Sequence, residues 1–327
     1  IDLCLIAAKT NVGSYSAIAI KFCLNKSLNK RSKGQKQKDY RGIYLDMPNF
    51  FDKSAVIVLD NLSAKDITTF RGGGSIAETI FPLTIDALVS IQNRFDFVIG
   101  RGSNLIISDG IKRITALSLK RLNGVYVSGE KIIAEAGASA KQLFDAAFDA
   151  SLSGLEFIHQ IPASVGGLVK MNAGAFSMQI SDCLESCLVL KDGVLKEVKP
   201  NFGYGESDVD GVIVSATFKL KRADREEMTK TVKANCHKRR LTQPTTAPSC
   251  GSTFKNPKGA SAGKLIEDCG LKGYSVGGTS ISDKHCNFIV NNGGATASDF
   301  LQIVDKIEET VYYKYGIRLE REFKLLD

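Results

Sequence analysis

The chain of 327 residues contains no run of eighteen apolar residues, and the apolar stretch nearest its start, LCLIAA at 3–8, is too short to cross a bilayer. It has no clear basic flank or cleavage site either, so a cytoplasmic protein without a membrane partner is the expectation. Paired CxxC spacing is absent too. The eight cysteines (4, 23, 183, 187, 236, 250, 269 and 286) are too sparse for a disulfide scaffold, and no second pair or nearby histidine joins Cys183 and Cys187 to complete a zinc site. Reduced thiols and no metal are expected. No internal repeat occurs, and the only biased tract is lysine-rich. Most of the chain also lacks excess charge. The formal +8 is concentrated in residues 1–41, where nine Lys and Arg face Asp2 and Asp39, which leaves +1 for everything after. A nearly neutral body argues against nucleic acid, and KSLNKRSKGQKQKDYR (26–41) reads as a solvated leader.

What is present is an ordinary soluble composition, 43% hydrophobic, enough to bury a sizeable core in about two domains of roughly 150 residues. A leader is expected over 1–54. In 55–222, AVIVLDN (55–61) and RGGGSIAETIFPL (71–83) read as glycine-punctuated apolar runs, and TIDALVSIQNRF as a helix with Ile85, Leu88 and Ile91 on one side. DFVIG (96–100) is a strand running into RGSN. From Leu105 to Lys221, short β-branched runs are interrupted by one helix near 139–151, so this region is α+β without βαβ alternation. The boundary falls in the charged stretch 222–240. In 223–327, a short helix over 261–270 stops at Gly270. A longer one, 296–316, has a Thr296–Asp299 capping box, a core stripe of Phe300, Val304, Ile307 and Val311, and Gly316 as its stop. NFIVNNGG reads as a strand and turn, and GIRLEREFKLLD as a terminal strand.

Two stretches offer side-chain-free backbone to a ligand. GRGSNLIISDG (100–110) follows a strand but has leucine where the dinucleotide fingerprint needs its third glycine. GLEFIHQIPASVGGLVKMNAGAF (154–176) allows close main-chain approach at several points. Together they suggest a dinucleotide held by backbone amides. SCGSTFKNP (249–257) packs several polar groups around one phenylalanine.

These stretches, with KRRLTQP (238–244), AGKLIEDCGLKGYSVGGTSISDKHCNFIVN (262–291) and GIRLEREF (316–323), resemble in order and spacing the UDP-N-acetylenolpyruvoylglucosamine reductase (MurB) family from about residue 67 to the end. The resemblance is to the shorter subtype without a tyrosine lid. It implies an α+β fold: a two-lobed FAD-binding domain of the vanillyl-alcohol-oxidase type (55–222), then an α/β substrate-binding domain (223–327) whose final strand reaches the active site. It also implies FAD and NADPH as cofactors, a nucleotide-sugar substrate and, in the simplest case, a monomer. The family delivers hydride from reduced flavin to an enolpyruvyl ether, a reaction that needs a proton donor and a group to stabilise the developing negative charge.

Carried over residue by residue, the flavin contacts are Gly100, Arg101, Gly102, Ser103, Asn104 and Leu105, then Pro162, Ser164, Val165, Gly166, Gly167, Asn172 and Gly174. The proton donor is Ser252 of GSTFKNP, leaving Ser249 and Thr253 as structural. Glu322 matches the acid of the family's terminal Glu-Val pair, with Phe323 in place of valine. In an extended chain Glu320 and Glu322 share one face, roughly 6–7 Å apart, and Leu319, Arg321 and Phe323 the other. Substrate candidates are Tyr204, Arg240, Gln243, Lys255, Asn256 and His285.

The pattern fails in places. The family's F-x-Y-R-x-S phrase, which carries a catalytic arginine, here reads FGYGES, with Gly205 at the arginine position. Gln160 and Ala163 replace two glycines of its GIPG phrase, and GAYG becomes GAFS. Another FAD oxidoreductase of the same fold, or a catalytically impaired flavin-binding homologue, therefore stands beside the main expectation.

Overall fold

The computed structural model describes residues 6–12, 15–22 and 55–327. The lysine-rich 26–41 lies outside them. Ile6–Val12 and Tyr15–Phe22 form an antiparallel pair whose second strand runs parallel to Val56–Ser63, so part of the expected leader joins the first sheet. That sheet continues through Ser75–Pro82, Ile111–Leu117 and Phe97–Val98. A second sheet is wholly antiparallel, in the order Val194–Val198, Leu184–Lys191, Val212–Lys219, Lys131–Glu135 and Val125–Ser128. One core joins the two: Val56, Ile80, Leu88 and Leu117 from the first side pack with Ile132, Phe144, Leu168, Val214 and Phe218 from the second.

The helices follow their caps. Ala140–Asp149 starts at a Ser139–Gln142 capping box, and Ile85–Ser90 starts on Thr84. Beyond the single turn Ala64–Ile67, two helices were not anticipated. Val165–Lys170 lies inside the second glycine-rich stretch, started by Ser164. The charged 222–240 region is an eighteen-residue helix, Arg225–Thr242, capped by Asp224 and buried only at Met228. Its apolar signal is weak because it packs along a narrow line and presents charge to solvent on its other sides.

The last third forms its own core around Ala297–Tyr315, whose expected stripe of Phe300, Val304, Ile307 and Val311 is fully buried, with Ile303 added. Both the Thr296–Asp299 box and the left-handed Gly316 are present. This core also takes in Phe70 and Ile106 from the first third. Phe300 is the hub, meeting Phe70 edge-on at 5.2 Å and Phe323 at 5.0 Å. Asp109 reaches across as well, accepting from the first two N–H groups of the helix, on Ala297 and Ser298, at 2.9 Å each. The terminal strand is shorter than expected. Only Lys324–Leu326 is regular, paired in parallel with Leu105–Ile107, because residues 320–322 are engaged with another loop instead. Among the described residues no helix is long and apolar enough to cross a membrane.

Removing the hub should loosen the joint. Phe300→Ala is expected to cost about 3–5 kcal/mol in urea unfolding, against less than about 0.5 kcal/mol for Tyr313→Ala on the exposed side of the same helix.

Candidate functional site

The first glycine-rich loop leaves the short strand Phe97–Val98 and enters Leu105–Ile107. Gly102 is buried at a φ of +60°, a conformation that L side chains rarely adopt. A Cβ on Gly100 would stand 2.6 Å from Ser164 Oγ, so the two glycine-rich stretches meet where neither has room for another side chain. Ser164 itself caps Val165–Lys170 by accepting from the Gly167 N–H at 3.3 Å. Gly166 lies against Ala136, and Val165 is buried beneath. Arg101 and Pro162 are exposed, and Gly174 sits in the tight pair Gly174–Ala175 with Met178–Gln179. Asn172 is occupied structurally. Its Nδ2 donates to Gln179 Oε1 and to the Gly203 carbonyl, both at 3.2 Å, and its Oδ1 accepts from the Ser181 N–H, which ties this stretch to the 202–207 hairpin.

The loop carrying Ser252 is held on both edges. Buried Asn287 accepts from the Phe254 N–H at 2.9 Å and donates to the Phe254 carbonyl at 2.7 Å, while its own carbonyl takes the Thr253 N–H. On the other edge the Glu322 N–H donates to the Thr253 carbonyl, and the Lys255 N–H to the Glu320 carbonyl, each at 2.9 Å. Gly251, at a φ of +83°, brings the loop to within 3.8 Å of the Ser103 carbonyl as measured from an added Cβ. Asn104 completes the junction: its Nδ2 donates to the Glu322 carbonyl at 3.0 Å and its own carbonyl accepts from the Lys324 N–H. Ser252, Glu322 and the first glycine-rich loop, all carried over from the same resemblance, are adjacent in the fold.

Glu322 is half-buried, and desolvation pushes its carboxyl up to about 7 against the opposing pull of Lys255. Near neutrality it is thus present in both forms. Glu320, exposed on the same face, pairs with Lys255 Nζ at 2.5 Å. Cys250 is fully buried and its thiol is pushed up to about 12, which removes it as a nucleophile.

The other candidates are more scattered. Tyr204 stands exposed at the turn between Phe202–Gly203 and Glu206–Ser207. Asn256 is exposed, and its Oδ1 accepts from the Ala262 N–H at 3.0 Å at the start of Ala262–Asp268. His285 accepts from the Asn287 N–H through Nδ1, stacks edge-on against Phe288 and is kept neutral by burial. Arg240 is exposed, with Nε on the Cys236 carbonyl at 3.4 Å. The inward member of the arginine pair is its neighbour Arg239, while Arg240 faces solvent. A helix turns successive residues by about 100°, so only one of the pair can face the protein. Arg239 Nε donates to Gln243 Oε1 at 2.8 Å.

Sequence reasoning also missed where Arg239 goes. It packs with Glu156, His159, Gln160, Phe176 and Cys236 around a gap too small to admit a water, where Glu156 Oε1, His159 Nδ1 and Arg239 Nη1 are buried with no hydrogen-bond partner. The signal was the arginine pair at a helix end, one of which had to face inward. The part of the chain that suits a phosphate-bearing cofactor is the pair of glycine-rich loops, where an added Cβ at Gly100 or Gly102 would collide with its neighbours and backbone N–H groups are left free of side chains.

Comparison with known proteins agrees. Residues 89–199 match the family model described as FAD binding domain, and residues 243–326 match that of the UDP-N-acetylenolpyruvoylglucosamine reductase C-terminal domain. The chain is 38% identical over 284 residues to the UDP-N-acetylenolpyruvoylglucosamine reductase of Pediococcus pentosaceus, covering 83% of this chain and 95% of that protein. The Clostridium botulinum protein of the same name is 35% identical over 300 residues, 88% of this chain and 97% of that one. The crystal structure of UDP-N-acetylenolpyruvylglucosamine reductase (MurB) from Thermus caldophilus matches at a TM-score of 0.74 and 34% identity, over 82% of this chain and 98% of that chain.

The raised carboxyl makes a stability prediction. Folded Glu322 binds its proton more tightly than the unfolded side chain does, so its contribution is present below about pH 4.5 and is lost as pH rises to about 7. Relative to the native chain, Glu322→Gln should gain stability across that window, by at most about 3 kcal/mol, and stay level outside it in urea unfolding.

Proposed function

The chain belongs to the UDP-N-acetylenolpyruvoylglucosamine reductase family, and on that premise we propose that it is an NADPH-dependent flavoprotein acting in the cytoplasm on a nucleotide sugar. It reduces UDP-N-acetylglucosamine-enolpyruvate to UDP-N-acetylmuramate for peptidoglycan precursor synthesis. The observation that carries this reading is the junction at which Asn104 binds the Glu322 carbonyl while Gly251 brings Ser252 beside Ser103.

Residues 100–105 and 162–174 would hold FAD. When bound there and reduced by NADPH, FAD would supply the hydride. The remaining work falls to side chains. Ser252 gives a proton to the carbon beside the substrate carboxylate. Glu322, able to carry a proton near neutrality, stabilises the negative charge that builds on the enolpyruvyl group. Lys255, beside Glu322, and the exposed Tyr204 are the candidates to meet the substrate's anionic and sugar parts.

Gly205 bears on the impaired-homologue alternative. It sits in the hairpin turn at a φ of +68° with nothing within 4 Å of an added Cβ. An arginine would have space there, at a left-handed cost of about 1–2 kcal/mol. Restoring it should raise turnover; an unchanged rate in a folded Gly205→Arg protein would show that another group does its work.

The central test is direct. Purified protein should be yellow, and NADPH oxidation should depend on UDP-N-acetylglucosamine-enolpyruvate. A colourless protein defeats every flavoenzyme reading, and oxidation indifferent to the substrate favours a different oxidoreductase. Ser252→Ala should lower product formation about 10²- to 10⁴-fold while flavin reduction by NADPH stays within a few-fold. Equal loss of both half-reactions would remove Ser252 as the proton donor.

A further inference from the structure

The pairing of 253–255 with 320–322 sets Lys255 opposite Glu320 and Thr253 opposite Glu322, with Phe254 and Arg321 bridged between them. Phe254 is buried in the C-terminal core, and Arg321 forms ion pairs with Asp305 and Glu308 of Ala297–Tyr315. The alternation of an extended chain then puts Lys255, Glu320 and Glu322 together on the opposite face. Three carboxyls compete there for one ammonium. Glu206 acts on Lys255 from the 202–207 hairpin, Glu322 acts on it from the half-buried position beside the Ser252 loop, and Glu320 holds it, Oε1 to Nζ, at 2.5 Å. The remaining titratable neighbour, Cys250, is a buried protonated thiol. The cation is therefore bound by Glu320, the most exposed partner in the pair at 69%, rather than by the buried carboxyl whose charge most needs neutralising.

We propose that Glu320 is a positioning residue: by gripping the Lys255 ammonium it keeps that cation from closing on Glu322, so that Glu322 retains its proton beside Ser252. The proposal rests on the reading of Glu322 as the acid that assists reduction, but the grip itself is a property of the folded chain that can be measured without turnover.

The test is a ¹³Cδ-glutamate NMR titration of the full-length flavoprotein, with Glu322→Gln identifying the resonance. In Glu320→Gln the Glu322 midpoint should fall by about one pH unit as Lys255 swings to it. Combined with Lys255→Met, the same Glu320→Gln change should move the midpoint by no more than a few tenths. An unchanged midpoint in the single variant overturns the proposal. So does an equal shift without Lys255, since Glu320 would then act through its own field. If the midpoint falls as expected but the pH dependence of product formation does not follow it, the grip stands and the assignment of Glu322 to the reaction fails.

Discussion

The end of the chain must return to the strand that carries the first glycine-rich loop. Lys324–Leu326 lies parallel to Leu105–Ile107, and a parallel partner cannot be supplied by a hairpin. More than two hundred residues separate the two strands, and the loop-closure cost of so distant a contact grows only slowly with length. Once the contact forms, Asn104 is placed against the Glu322 carbonyl, and Phe323 against Phe300 and hence Phe70. The position of Glu322 is thus inherited from a strand register. A slip of one residue would turn Glu322 towards the core and Phe323 towards the cofactor loop.

Buried asparagines do at the loops what strand ladders do elsewhere. Asn287 bonds both backbone groups of Phe254, and Asn291 donates to the carbonyls of Phe70 and Arg71 while accepting from the Gly293 N–H at 2.8 Å. Each such contact contributes only about 1 kcal/mol net, but an unpaired buried carbonyl costs more than that. The irregular loops around Ser252 and Phe70 can therefore be both buried and fixed. A rigid site requires this, because a loop tied only by its ends would not stay in one place beside the first glycine-rich loop.

Much of this was legible because the signals were local. The 296–316 helix announced its cap, its stripe and its stop, and each formed as written. The glycine-rich stretches and GSTFKNP identified the loops that meet. Three things were not legible. The helix Val165–Lys170 was hidden by its glycines, which lower propensity, although Ser164 supplies a sound start. Arg239 was hidden beside Arg240, since two adjacent charges look equally exposed until the helix has a packed side. The terminal segment reads as one strand because its alternation continues throughout. In the fold, residues 320–322 pair with the Ser252 loop before 324–326 joins the sheet, and sequence alternation records faces without recording partners.

The same junction is where folding and chemistry pull in opposite directions. The half-buried Glu322 carboxyl loses hydration, and a cation in direct contact would offset that loss. Lys255 is within range and yet spends its contact on Glu320. The arrangement leaves the half-buried carboxyl poised between its two forms near neutrality. A tighter Lys255–Glu322 pair would hold Glu322 as a carboxylate throughout the neutral range, and a site without Lys255 would hold it protonated further into that range. The intermediate state needs a cation nearby but otherwise engaged, and the ladder between 253–255 and 320–322 supplies one.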